Sequence, residues 1–183
     1  VKSRTLDDAL AAISEIGRAT GNNEQAQRLL NGTRAQLEDV RAHTQGLPRP
    51  RVLCVVDRAP GTLRDVYAAT KESFIAQLIE IAGGEPIAPS AASGYGQISK
   101  EAILSLDPEI IIDMVQGAEA VGLLAEDSKA VWRELSEVEA VKANRVYPIG
   151  DVSVLHPSQF VGATARRFAE LIHPEAFGRD TKR

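Results

Sequence analysis

Two short runs dominate what this chain can fold into: Val52-Leu53-Cys54-Val55-Val56 and Glu109-Ile110-Ile111-Ile112-Asp113. They are apolar almost throughout and rich in β-branched residues, the pattern of strands buried on both faces. Between them lies a helical pattern with Phe74, Ile75, Leu78, Ile79 and Ala82 on one side, closed by Gly83-Gly84, where a left-handed terminal residue is needed. Pro86-Ile87-Ala88 reads as a further short strand. Ser99 caps a brief helix containing Ala102, Ile103 and Leu106, and Asp107-Pro108 ends it. Helices are expected around Ser128–Leu135 and Ser136–Ala143, then a strand Arg145-Val146-Tyr147-Pro148-Ile149. A last helix runs from Ser158 to Ile172, before Pro174. Strands alternating with helices predict an α/β, Rossmann-like three-layer domain, its sheet mostly parallel and its connections right-handed.

The first fifty residues form a helical arm. Thr5 and Asp8 stand at capping-box spacing, and Leu6, Leu10, Ile13 and Ile16 share one helical face. Gly21, Asn22 and Asn23 stop that helix. A second helix is expected from Glu24 to His43, with Ala26, Leu29, Leu30, Thr33, Leu37 and Val40 as its apolar stripe. Its roughly 20 residues would span about 30 Å, the diameter of a small domain. It reads as an ordinary packed helix or as a strut between two lobes. Gln45-Gly46-Leu47-Pro48-Arg49-Pro50 closes the arm.

Composition removes several function classes. The 183 residues carry 21 Lys+Arg against 25 Asp+Glu, a net charge of −4, which lacks the basic footprint of a nucleic-acid binder. A hydrophobic share of 44% with 25% charged residues excludes wholesale disorder. The single cysteine, Cys54, excludes an internal disulfide and a cysteine-rich zinc site, and its place among valines marks a core residue. No apolar run is long enough to span a membrane. The residues after Val1 lack a signal-peptide pattern, and a chain opening at Val1 reads as a mature or truncated product.

In a sheet of this kind ligands meet the loops at the carboxyl ends of the strands, here Asp57–Tyr67, Met114–Gly122 and Gly150–Phe160. No nucleophile, base and orienting acid can be assembled on them, although His156 lies on the third. His43, His156 and His173 are too scattered for a metal site, and no cofactor is implied. Gly94-Tyr95-Gly96 begins like a dinucleotide fingerprint, yet it lacks the third glycine and does not follow the first strand. Asn31-Gly32-Thr33 matches a glycosylation sequon inside an expected helix. The residues alone therefore indicate an α/β binding domain with a helical arm.

Several segments together resemble the periplasmic substrate-binding proteins of ABC importers for ferric siderophores, haem and cobalamin. In that family two α/β lobes are joined by one long helix, and the ligand sits between them. Arg4-Thr5-Leu6-Asp7-Asp8 with Ile13…Ile16-Gly17 resembles the end of the N-terminal lobe, and Glu24–His43 the linking helix. Arg51–Val56 is similar to the first strand of the C-terminal lobe, and Ile81-Ala82-Gly83-Gly84 to a helix end within it. Ile98-Ser99-Lys100-Glu101-Ala102-Ile103-Leu104 followed by Asp107–Ile112 is the most specific stretch. Trp132–Leu135 and Ala140–Ile149 complete the likeness.

The resemblance implies half of a two-lobed, helix-hinged binding protein. Residues 1–22 would be a remnant of the N-terminal lobe, 23–47 the linking helix and 48–183 the C-terminal lobe. It implies no enzymatic activity. It places Glu101 where relatives carry a glutamate that pairs with arginines of the inner-membrane permease, although the same carboxylate also suits the first turn of its own helix. Tyr95 matches an aromatic position against the ligand, or serves as a loop anchor. Arg58, Tyr67, Gln116 and His156 fall on cleft-side loops. Arg58 would pair with an anionic group of the ligand or remain solvated. Trp132 is assigned to the core. The missing lobe removes half the cleft, and Ser158-Gln159-Phe160 stands where relatives often carry an arginine. An uncovered apolar stripe on the linking helix would favour a homodimer. The expected location is the periplasm, or the outer surface of a Gram-positive cell as an anchored lipoprotein. A Rossmann-like enzyme domain and a non-transporting interaction domain remain the alternatives.

Overall fold

The computed structural model describes residues 5–88, 94–114 and 125–178. At its centre β1 (Arg51–Asp57) pairs in parallel with β5 (Ile110–Met114), which pairs in parallel with β6 (Val146–Ile149). The other edge of β1 is shared by two short strands. β3 (Glu85–Pro86) runs parallel to its start, and β2 (Tyr67–Ala69) runs antiparallel to its end. β4 (Tyr95–Gln97) adds to β2 in antiparallel fashion, giving the order β4-β2-β1-β5-β6. The sheet is therefore mixed, although its main ladders are parallel. β2 and β4 correct the expectation that Tyr67 and Tyr95 lie on loops. Three-residue strands made of Tyr, Ala, Gly and Gln carry too little β-branched content to declare themselves.

Side chains alternate across the sheet as strand geometry requires. Val52, Cys54, Val56, Ile110, Ile112 and Met114 meet one helical layer: α1 (Leu6–Ala19), α2 (Asn23–Thr44), α3 (Phe74–Ile81) and α7 (Val161–Ile172). Leu53, Val55, Ile111 and Val146 meet the other. That layer holds α4 (Lys100–Leu106), a 3₁₀ turn at Val131–Leu135 and α6 (Glu139–Lys142). These are the three expected layers. Trp132 and Cys54 are both in the core, as anticipated.

The arm folds back on the α/β body. Thr5 and Asp8 form a reciprocal capping box, and the Leu6 amide donates to Gln77 Oε1 of α3 at 2.7 Å. The α2 stripe is Leu30, Thr33, Leu37, Val40 and Thr44, spaced three and four apart. Leu29, one step of about 100° from Leu30, and Ile16, one step from buried Gly17, are exposed instead. That corrects two members of the expected stripes. Gly17 is where α1 comes closest to α2, its Cα backed by the Ala26 side chain. Among the described residues β6 pairs only with β5, and Pro148 removes a donor from it, a common defence of an open strand edge. No helix among the described residues is long and apolar enough to cross a membrane.

Candidate functional site

The carboxyl ends of β1, β5 and β6 lie side by side, so Asp57, Met114 and Ile149 mark one end of the sheet. Tyr67 opposes Asp57 in the β1–β2 ladder and Gln97 in the β2–β4 ladder, which places it on this rim with 41% of its surface exposed. Tyr95 opposes Ala69, further into the sheet. It is half-buried against the α-helical core, and burial followed by the nearby Cys54 raises its phenol above the usual tyrosine range. His156 is exposed at the end of a 3₁₀ turn, Val152–Leu155. Gln116 lies outside the described residues.

The structure adds Phe160, which had been noted only as a departure from the family pattern. It is 51% exposed at the start of α7. It borders a hollow of about 290 Å³ with Asp151, Ser153, Val154, Ala163, Thr164 and Arg167. The Ser153 hydroxyl and amide hold the Asp151 carboxyl below its ordinary range, with Arg167 3.8 Å away. Tyr67 and Phe160 are thus two exposed aromatic residues, a type suited to a flat apolar or aromatic ligand. A larger groove of about 890 Å³ runs along the free edge of β6 between α2 and α7. Of its six charged residues, Arg166 pairs with Asp39 and Glu170, and Glu126, Lys129 and Arg167 line it as well.

Arg58 departs from its expected role. It is 5% exposed, and its guanidinium turns inward onto Asp113 of β5, which is fully buried. Nε donates to both carboxylate oxygens at 3.2 and 3.0 Å, and Nη2 to Oδ2 at 2.9 Å. Trp132 Nε1 donates to the same Oδ2 at 2.8 Å. Nη1 donates to the Thr62 carbonyl at 3.0 Å and Nη2 also to the Ser128 carbonyl at 3.2 Å. The charge is neutralised inside the lobe, so Arg58 does not offer it to a ligand. Removing one partner of such a pair strands the other and costs about 3–5 kcal/mol. An aspartate ending a buried Ile-Ile-Ile run is the signal that such a partner was needed.

Glu101 is exposed in the first turn of α4, at the end of the lobe where β4 delivers the chain beside Tyr67. Its own amide and the Ser99 hydroxyl hold its carboxyl below the ordinary glutamate range. Ser99 caps the helix by accepting from the Ala102 amide at 3.2 Å. Its neighbour Lys100 is paired with Glu134. The Gly94–Gln97 stretch forms β4, not the strand-to-helix turn that a dinucleotide fingerprint needs. His43 contacts the Asp39 carbonyl and buried His173 the Gly83 carbonyl. No group of three or more His, Cys, Asp or Glu side chains among the described residues could hold a metal ion.

The sequence pattern of the periplasmic binding protein family matches residues 2–152. The chain belongs to that family. Relatives include the ABC transporter substrate-binding lipoprotein YvrC of Bacillus subtilis, 23% identical over 96% of this chain and 53% of its own length. A cobalamin-binding protein of Halobacterium salinarum is 31% identical over 92% of this chain and 45% of its own. Among solved structures, Staphylococcus aureus IsdE complexed with heme superposes with a TM-score of 0.74. It shares 21% identity, over 93% of this chain and 66% of that one, and so bears on the fold alone. The chain spans about half the length of the curated relatives it matches. A further relative, 28% identical over 77% of this chain and 48% of its own length, is the high-affinity heme uptake system protein IsdE of Staphylococcus aureus.

Proposed function

We propose that this chain is the C-terminal lobe and linking helix of an ABC-importer substrate-binding protein for an iron chelate (siderophore or haem) or cobalamin. One structural observation supports the reading: Tyr67 and Phe160 are exposed aromatic residues at the end of the sheet where β1, β5 and β6 finish. One relative is named as cobalamin-binding and another as a heme uptake protein, and each of those molecules presents a broad flat face to which aromatic side chains are suited. Residues 1–22 would close an N-terminal lobe, with 23–47 linking it to the lobe at 48–183. Tyr95 and His156 would flank the ligand, and Gln116 would join them from the segment after β5. Glu101, exposed and held ionised, would pair with arginines of the permease. The relatives' names support an extracytoplasmic location, periplasmic or lipoprotein-anchored.

One lobe supplies one wall of such a site. Calorimetric titration of the chain with haemin, cyanocobalamin and a ferric catecholate chelate should therefore show weak binding of one of them, millimolar to high micromolar, about −4 to −6 kcal/mol. Tyr67→Ala and Phe160→Ala should each weaken it further. Absence of heat with all three probes at millimolar concentration overturns the reading. Nanomolar affinity overturns the assignment of this lobe as one wall only. Exposed Ile16 and Leu29 on α1 and α2 also support self-association through the arm. Light scattering showing a strict monomer at every concentration overturns that part.

A further inference from the structure

The Arg58 guanidinium is the meeting point of four stretches of chain: the end of β1, the 58–66 loop through the Thr62 carbonyl, β5 through Asp113, and α5 (Ala125–Ala130) through the Ser128 carbonyl. Trp132 joins as a fifth contact through Asp113. Such a cluster is an expensive way to gain stability. A buried ion pair is often matched or bettered by apolar side chains of similar volume, so its presence asks for a reason other than holding the fold together. Its placement supplies one. Arg58 and Asp113 stand at the carboxyl ends of β1 and β5, and the loop that Arg58 grips leads straight into Tyr67 on the rim. Within the loop the Ala59 N–H donates to the Arg64 carbonyl at 2.9 Å and the Thr62 N–H to the Ala59 carbonyl at 3.2 Å, while its second half is held from outside, by buried Leu63 and Val66 and by the Ile98 N–H on the Val66 carbonyl at 2.9 Å. The Arg58 contact with the Thr62 carbonyl adds the polar anchor for the first half of the loop.

We propose that Arg58 is a positioning residue, which locks the 58–66 loop to the Ser128–Trp132 segment and so sets one wall of the ligand face before a ligand arrives. The wall's purpose rests on the proposed binding function; the lock itself rests only on the hydrogen bonds above. Arginine is required because one planar fork serves the carboxylate and two carbonyls in different directions. A lysine ammonium keeps the charge but cannot reach all three.

The test compares amide hydrogen exchange in the unmodified chain, in Arg58→Lys and in the double variant Arg58→Met/Asp113→Leu, which removes both charges together and so leaves neither stranded. In both variants exchange at Ala59 and Thr62 should accelerate about tenfold or more, while the α7 amides keep their protection. In the double variant the emission of Trp132, the only tryptophan, should also shift as its indole loses the Asp113 acceptor. Unchanged loop exchange in the double variant overturns the proposal. So does loss of cooperative unfolding in both variants, which would make the pair a requirement of the fold. Where haemin or cyanocobalamin binds the unmodified chain, both variants should bind it about tenfold more weakly. If no probe binds, the proposed function fails, while the exchange comparison still decides on the lock.

Discussion

The Arg166 guanidinium of α7 lies 5.2 Å from the centre of the Phe177 ring. The same ring stacks against His43 of α2 at 5.4 Å, and Arg166 reaches Asp39 of α2 at 3.2 Å. The long helix is thus fastened to the lobe at its C-terminal half by a surface cluster as well as by the buried Leu37 and Val40. The apolar contacts dominate, since an exposed ion pair contributes about 0.2–1 kcal/mol and a cation–π contact at an exposed site about 0.5–1 kcal/mol. Arg166→Ala should therefore lower unfolding stability by about 1–2 kcal/mol in urea titration. The ion-pair share, isolated by a double-mutant cycle with Asp39→Ala, should shrink as salt is raised.

The end of α3 is more demanding. Gly83 has φ +81°, and a Cβ there would meet His173 Nε2 at 2.8 Å and Thr44 Cβ at 2.9 Å. His173 is buried and accepts no easy displacement, because its ring nitrogen is bonded to the Gly83 carbonyl at 3.2 Å. Gly83→Ala combines a left-handed backbone with a steric conflict, and should cost about 2–4 kcal/mol of stability. Gly46→Ala is the control: its φ is +79° but nothing lies near its Cβ position, so the loss should stay at about 1 kcal/mol.

What could be read from the residues alone follows the strength of the local signal. β1 and β5 are legible because an unbroken β-branched run has few other uses, and α1 because Thr5 and Asp8 mark its start. β2 and β4 were hidden because strand pairing with β1, not local propensity, makes Tyr67–Ala69 and Tyr95–Gln97 extended. The site divides in the same way. Tyr67 and His156 were placed by topology and are exposed near the strand ends. Arg58 was placed equally well along the chain, but the direction of a long side chain depends on a partner 55 positions away. Phe160 lies at the start of α7, and only its exposure distinguishes it from a core aromatic.

Ser99 and Glu101 make a linked prediction. Ser99→Ala removes the cap on α4 and should cost about 1 kcal/mol at neutral pH. It also removes one of the groups that hold the Glu101 carboxyl low, so the Glu101 titration followed by NMR should move back toward 4.5. The sign is that of a depressed carboxylate. Its contribution is present above the unfolded value, near 4.5, and is lost as pH falls through the lower folded value. The stability difference between the two proteins should therefore narrow on acidification below that point, and a difference that widened would contradict the capping geometry.

Cys54 offers a direct readout of the whole fold. Its thiol is buried at the centre of β1, and burial, with the Asp113 carboxylate adding to it, pushes its pKa well above the ordinary value of 9.0. For a group raised in this way the stabilisation is complete below the unfolded pKa and is lost as pH rises above it, so alkaline conditions beyond pH 9 should weaken the protein. At pH 8 the native thiol has neither the thiolate fraction nor the access to react. Iodoacetamide should therefore label Cys54 only through opening of the sheet, at a rate set by the open population. Variants that destabilise the fold globally should then label faster, about tenfold for each 1.4 kcal/mol lost, with Gly83→Ala well ahead of Arg166→Ala. Rapid labelling of the native chain, at a rate the same in all three proteins, would place Cys54 at an accessible surface and overturn its position in the core.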